Sequence, residues 1–508
     1  MSIRETLGGP LGPPPQLWSL TSSSCGATPE SVSRSQLGAG CAQTSQRRRR
    51  SLRVVQSGGA KRRVPSPAPA PKALPRSLES GGAKRRIPSP AHSTAGARFG
   101  SCNREERSDG SRHPPGQNEG VTSREIALQL DAADPLASFR DEFFIPDQSL
   151  VYLDGNSLGR TPKRTIERLH QVVEKEWAGD LILSWDHWLD LPRRIGDRFA
   201  DIIGSRPGEV VLHDSTTLNL FQGVHIALNL RPDRRVLVVA DDEFPTDRYV
   251  VEGIAHDLGL TVRSLRPGID LSDVAVIVRS VIDYRTAEMV DVASFTDEAR
   301  RAGAMVLWDL SHTAGAVEFD VHALGVELAV GCTYKFLNGG PGSPAYTFVS
   351  HELQSMVRQP IRGWFAQKDQ FAMERPFEPF DDIRRVLLGT PHILSLVAAE
   401  EGIALSARAG MGAIAAKGRA LVAYAMEVID HLGLTTSTPR DTARRGNHVA
   451  VHHPDAPVLL RRLAERKVVA DVRPPDIVRL GLSPLTTRFT DVWDGLATLD
   501  DLIRSNDS

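Results

Sequence analysis

Lys335 stands alone among apolar residues and glycines in "ELAVGCTYKFLNGGPG", residues 327–342. A lysine there is either a turn residue in water or an amine held for chemistry, because burying it unpaired is costly. Other reactive side chains recur just beyond similar apolar runs. "EVVLHD" (209–214) leads into "STT", with Thr216 and Thr217, and "RVLVVA" (235–240) into "DDEFPTD", with Phe244 and Asp247. "VAVIVR" (274–279) leads to Ser280, "AMVLW" (304–308) to "DLSHTAG" with Asp309 and His312, and "ELAVGC" to Tyr334 and Lys335. In open α/β sheets ligands gather beyond the carboxyl ends of the strands, so one edge is expected to collect these groups.

Singly each has an ordinary explanation: a helix cap for Asp309 and "STT", packing for His312 and Phe244, a turn for Lys335. Together they meet the needs of pyridoxal 5'-phosphate. An amine attaches it, and a carboxylate stabilises its protonated ring nitrogen. An aromatic plane covers the ring, and hydroxyls at a helix start hold the phosphate.

The elements that must position these groups alternate. "LVYLDGNSLG" (150–159) reads as a short strand entering a glycine turn. "TPKRTIERLHQVVEKEWAG" reads as one helix, with Thr161 as N-cap and Pro162 at its first position. The apolar runs above, separated by helix-length segments, predict a largely parallel sheet covered on both faces. After about residue 385 the texture changes. A long Ala-rich helical stretch (392–431) precedes "HVAVHHP", "VVADVRP" and "IVRLGLSP", then a final helix, as in a smaller α+β domain.

Composition divides the 508 residues into two materials. Residues 1–115 carry 19 Lys and Arg against 6 Asp and Glu, leaving 42 against 56 in the rest. The first segment is rich in Pro, Gly, Ser and Arg, and "SGGAKRRVPSP" (57–67) returns as "SGGAKRRIPSP" (80–90). It cannot bury enough apolar surface to offset chain entropy, so it is expected to be disordered. Its arginine clusters would suit a nucleic-acid arm, but a solvated tail is the favoured reading. Of Cys25, Cys41, Cys102 and Cys332, three lie in that segment, which is no disulfide framework and fits a cytoplasmic protein. No apolar run is long enough to span a membrane, and no metal-ligand set is expected.

From about 120 to 506 the sequence resembles the kynureninase family within fold type I, the aspartate-aminotransferase-like pyridoxal-phosphate enzymes. The resemblance rests on "YLDGNSLG", "SWDHWLDLPRRIGDRFADIIG", "DSTTLNLF", "EFPTD", "WDLSHTAGAVEFDVHALGVELAVGCTYKFLNGGPG", "RGWF" and "VRLGLSPL". It implies a mixed, mainly parallel sheet in a large domain (151–390), an N-terminal helical segment (119–150) packing with a small domain (391–508), and a tail (1–118). Lys335 falls at the position that binds the cofactor covalently and Asp309 at the ring-nitrogen partner. Thr216, Thr217, Phe244, Asp247, Ser280, His312 and Tyr334 fall at other cofactor positions. Trp364 and Thr390 match contacts made across a homodimer interface, although asparagine is usual at the second.

Substrate contacts fall to Asn156, Ser157 and Arg479, the last expected to hold an α-carboxylate unless it faces solvent. The implied reaction hydrolyses L-kynurenine or its 3-hydroxy form to anthranilate or 3-hydroxyanthranilate and L-alanine, in tryptophan catabolism towards NAD biosynthesis. Lys335 would move the α-proton, with Tyr334 as a proton donor. A cysteine desulfurase-like lyase needs a mobile cysteine, and Cys332 is too close to Lys335 to serve. An aminotransferase is compatible with the same residues.

Overall fold

The computed structural model describes residues 122–505 apart from 374 and 375. The tail and its expected disorder lie outside the described residues. The strands are β1 Val151–Tyr152, β2 Val210–His213, β3 Val236–Val239, β4 Thr261–Ser264, β5 Val274–Ser280, β6 Met305–Asp309, β7 Leu328–Gly331 and β8 Ala345–Val349, followed by β9 Thr435–Thr436, β10 His448–His452, β11 Val468–Val469, β12 Asp471–Arg473 and β13 Ile477–Gly481.

Seven of these form one sheet in the order β2-β8-β7-β6-β5-β3-β4. The pairings from β4 through β3, β5 and β6 to β7 are parallel, whereas β8 runs antiparallel to β7 and β2. Alternate residues enter two different cores, which is why the strands are apolar at successive positions. Val306 and Trp308 of β6 join one core, Met305 and Leu307 the other. The helix Ile393–Ala409 packs into the first core, and Thr216–Leu230 and Pro245–Leu258 into the second.

Two strands of the seven-stranded sheet escape the sequence reading, as does the short β9 outside it. β4 ("TVRS") is an edge strand with only partly buried residues, so no apolar run marks it. β8 ("AYTFV") is wholly buried but follows directly on the glycine and proline cluster that signals a turn. β7 is also shorter than expected. It ends at Gly331, so Lys335 belongs to the turn beyond the strand.

The helix from Lys163 has Pro162, not Thr161, at its N-cap, and beyond Gln171 it widens into a π-helical stretch, Val172–Asp180. The Ala-rich stretch is two helices, Ile393–Ala409 and Met411–Leu432, broken at Gly410 where φ is 80°. Glycine alone adopts that left-handed backbone without strain.

The second of those helices packs with Phe489–Arg504 on a four-stranded antiparallel sheet ordered β12-β13-β10-β9. Arg124–Ala132 joins the same core through Ala127. Its Asp131 accepts the N–H groups of Phe489 and Thr490 at 2.6 and 3.2 Å, satisfying orphan donors at that helix start. β1 pairs with β11, and the Gly481 N–H donates to the Leu153 carbonyl at 2.7 Å. Among the described residues no helix is long and apolar enough to cross a membrane.

Candidate active site

The turn carrying Lys335 is clamped from several sides. The Thr333 hydroxyl lies 2.7 Å from that of Ser343 and donates to the Pro344 carbonyl at 2.6 Å. The Gly339 N–H donates to the Thr333 carbonyl at 2.9 Å, and Asn338 takes φ 56°. Gly159, from "DGNSLG", donates its N–H to the Tyr334 carbonyl at 2.8 Å. A Cβ on Gly159 would stand 2.4 Å from the Lys335 carbonyl, so this approach is open only to glycine. Gly159 went unnoticed as a site residue because its role is a backbone contact with a distant segment.

On this turn the Lys335 amine, half-buried, lies 3.0 Å from His312 Nε2. It stands 6.0 Å from the centre of the Phe244 ring and 5.9 Å from that of Tyr334. Burial, then the charge of Lys335, pushes the His312 imidazole well below its ordinary range, so it stays neutral. With Lys335 donating to Nε2, the ring proton sits on Nδ1, which is buried without a partner.

Register sets the carboxylates beside this pair. Ser280, Asp309 and Val330 are direct neighbours across β5, β6 and β7. Asp309 accepts the Ser311 N–H at 2.6 Å; burial pushes its carboxyl up, and Lys335 opposes that rise. Asp247, in the first turn of Pro245–Leu258, is 1% exposed and its Oδ2 has no partner. Burial and then the nearby Asp309 push its carboxyl well above the usual range. Glu243, not anticipated from sequence, accepts the N–H groups of Ser280 at 3.0 Å and Phe244 at 3.1 Å, tying the end of β5 to the ring that follows β3.

Thr216 and Thr217 occupy the first two positions of a helix capped by Ser215. That helix packs against β5 to β8, and its first N–H groups suit a phosphate. The Tyr334 phenol is pushed up, first by Cys332 and then by burial, and stays protonated. The orphaned Asp247 oxygen and His312 nitrogen flank a lysine beside an aromatic face, which is the donor set a pyridine aldehyde phosphate requires. The residues present fit that group.

Arg479 does not face solvent. It is fully buried, bonded through Nε to Asp471 Oδ1 at 2.9 Å and through Nη2 to the Ser157 hydroxyl at 3.1 Å. It also bonds to Asp471 Oδ2 and the Tyr284 carbonyl. Asn156, with its amide oriented to satisfy its neighbours, accepts from Arg479 Nε at 2.9 Å. The three sequence candidates for substrate binding therefore meet, held by Asp471, which sequence reasoning missed. Trp364 and Thr390 instead lie exposed on this single chain, Trp364 edge-on to Phe365 and Phe371.

Residues 414–499 match the kynureninase C-terminal domain. The chain is 42% identical to a kynureninase of Pseudomonas fluorescens over 401 residues, 75% of this chain and 96% of that protein. A kynureninase of Burkholderia pseudomallei (strain K96243) is 41% identical over 400 residues, with the same shares covered. Among solved structures, a cysteine desulfurase from Thermococcus onnurineus NA1 aligns with TM-score 0.61 at 19% identity, covering 74% of this chain and 98% of that one. A C-DES mutant with glycine covalently linked to its PLP cofactor aligns with TM-score 0.61 at 16% identity, covering 70% and 100%. These two likenesses establish the fold, and the sequence identities establish more: the chain belongs to the kynureninase family.

Proposed function

We propose that this protein hydrolyses L-kynurenine, or 3-hydroxy-L-kynurenine, to L-alanine and the corresponding anthranilate, using pyridoxal 5'-phosphate held by Lys335. The observation that carries this is the Lys335 amine 3.0 Å from a neutral His312, beside buried Asp309 and Asp247, in a chain of this family. When bound, the cofactor supplies an electron sink next to the substrate's α-carbon. Lys335 would hold the cofactor and, once its amine is free, would be the base that moves the α-proton. Asp309, with Asp247 close enough to feel its charge, would partner the ring nitrogen, Phe244 would cover the ring, and Thr216, Thr217 and Ser280 would hold the phosphate end. Tyr334, held protonated, returns a proton as water adds to the ketone and the adjacent carbon–carbon bond breaks.

The protein is read as a cytoplasmic homodimer in which Trp364 and Thr390 complete the neighbouring copy's site. Trp177, Leu181, Ile182 and Leu183, 58–74% exposed, supply apolar surface for such pairing. The small domain is read as closing over the substrate, with residues 124–132 part of it. Sulfur transfer of the desulfurase kind needs a mobile thiol. Cys332, the one cysteine among the described residues, is instead buried with its thiol towards the Ser311 carbonyl. Incubation with each kynurenine should release alanine and the aromatic amine in equal amounts. Formation of a keto acid without aromatic amine would make it an aminotransferase.

Arg479 is assigned the substrate's α-carboxylate. Arg479→Lys keeps one charge but loses the planar fork that Asp471 and Ser157 orient. Charge-assisted hydrogen bonds contribute about 1.5–3 kcal/mol, so KM should rise roughly tenfold to a hundredfold. The cofactor's absorption should not change. An unaltered KM would remove Arg479 from the substrate site.

A further inference from the structure

We infer that His448 is a substrate-contacting residue that hydrogen-bonds the side-chain ketone of the bound amino acid; this rests on the kynurenine reading above. His448 is fully buried, yet neither ring nitrogen has a partner. Buried polar groups in finished cores are almost always satisfied, so two orphans on one ring point to a missing ligand. The strand alternates around it. Val449 and Val451 of β10, with Val478 and Leu480 of β13, turn into the small core. His448 and Ala450 therefore face the other way, and register places them opposite Gly481 and Arg479. His448 is thus the diagonal neighbour of Arg479 on one sheet face. Gly481 opposite leaves that face open to Asn156, whose side chain would lie 1.8 Å from any Cβ there.

From this face the His448 ring reaches the other half of the site. Its centre is 5.6 Å from that of His312, which touches Lys335. The basic groups nearby already have roles, Arg479 at the carboxylate and Lys335 in proton transfer at the α-carbon. The polar group left between these and the aromatic ring is the neutral ketone. Burial, reinforced by the charges of Arg479, Arg473 and Lys335, keeps His448 uncharged. A neutral imidazole has one N–H and one acceptor nitrogen. It can donate to the carbonyl oxygen and accept from the hydroxyl formed when water has added.

The test compares the holoenzyme with His448→Phe, which keeps a ring without nitrogens, and His448→Gln, which keeps a donor and an acceptor. L-Alanine, which lacks the ketone, is the control ligand, its Kd read from the absorption of the bound cofactor. We expect His448→Phe to lose about tenfold to a hundredfold in kcat/KM for L-kynurenine, with part recovered in His448→Gln. Alanine affinity should stay within about threefold of wild type in both. Wild-type kcat/KM in His448→Phe, or alanine affinity falling in parallel with kcat/KM, would overturn the assignment. If His448→Phe does not fold by thermal melting, His448→Leu takes its place under the same criteria. Failure of the kynurenine reading itself would show separately, as no turnover by the wild-type enzyme.

Discussion

Lys335→Ala should abolish nearly all turnover, by about a thousandfold or more, since covalent anchoring and proton transfer are lost together. Reduction of the wild-type holoenzyme with borohydride should fix the cofactor to the peptide containing Lys335. The geometry makes this specific. Lys335 is the one lysine in residues 333–343, a turn pinned by Gly159 on one side and by the Thr333–Ser343 pair on the other. His312 keeps Lys335 in place as a neutral acceptor at 3.0 Å, so the variant also strips that imidazole of its partner. Added methylamine can restore a base but not its position, and should recover only a small part of the loss. Label on any other lysine, or substantial turnover by the alanine variant, would displace Lys335 from the centre of the mechanism.

Much of this centre is legible in the sequence because β-strands deliver side chains in chain order. Asp309 and Lys335 follow consecutive apolar runs, and β6 and β7 pair as neighbours. The sheet's two apolar faces likewise follow from runs such as "VAVIV", whose residues divide between two cores. What escapes is whatever depends on closure between distant segments. Gly159 is chosen by its approach to the Lys335 backbone, and no local pattern records that distance. Asp471 matters because β12 pairs with β13 and brings it opposite Arg479. Read locally, Arg479 looks like one half of an amphipathic alternation, and its burial follows only once distant segments carrying Ser157 and Tyr284 cover that face. His448 carried a signal in "HVAVH": the valines alternate into the core, so the histidines at 448 and 452 must face elsewhere. The break at Gly410 was hidden by strong helix formers on both sides, so only its backbone angle reveals it.

Asp309→Asn should lower turnover by about a hundredfold to a thousandfold while leaving the cofactor attached at Lys335. Asparagine keeps the shape and the acceptor towards the Ser311 N–H, but cannot supply the charge that holds a proton on the ring nitrogen. The neighbouring Asp247 makes the result diagnostic. It is buried within reach of the charges of Asp309 and Lys335 and its Oδ2 has no partner, so near-normal activity in Asp309→Asn would transfer the role to it. Asp247→Asn and the double variant would then separate the two. Stability supplies an independent reading on cofactor-free protein. Burial pushes the Asp309 carboxyl up, so the folded protein holds its proton at a pH where the unfolded chain has released it. The wild type should therefore lose stability as pH rises through about 4 and upward to the folded value. Asp309→Asn has no such proton to lose, and its melting temperature should fall less between pH 5 and pH 8. Equal slopes for the two proteins would mean that Asp309 is already ionised when folded, held so by Lys335, and that Asp247 alone carries the buried proton.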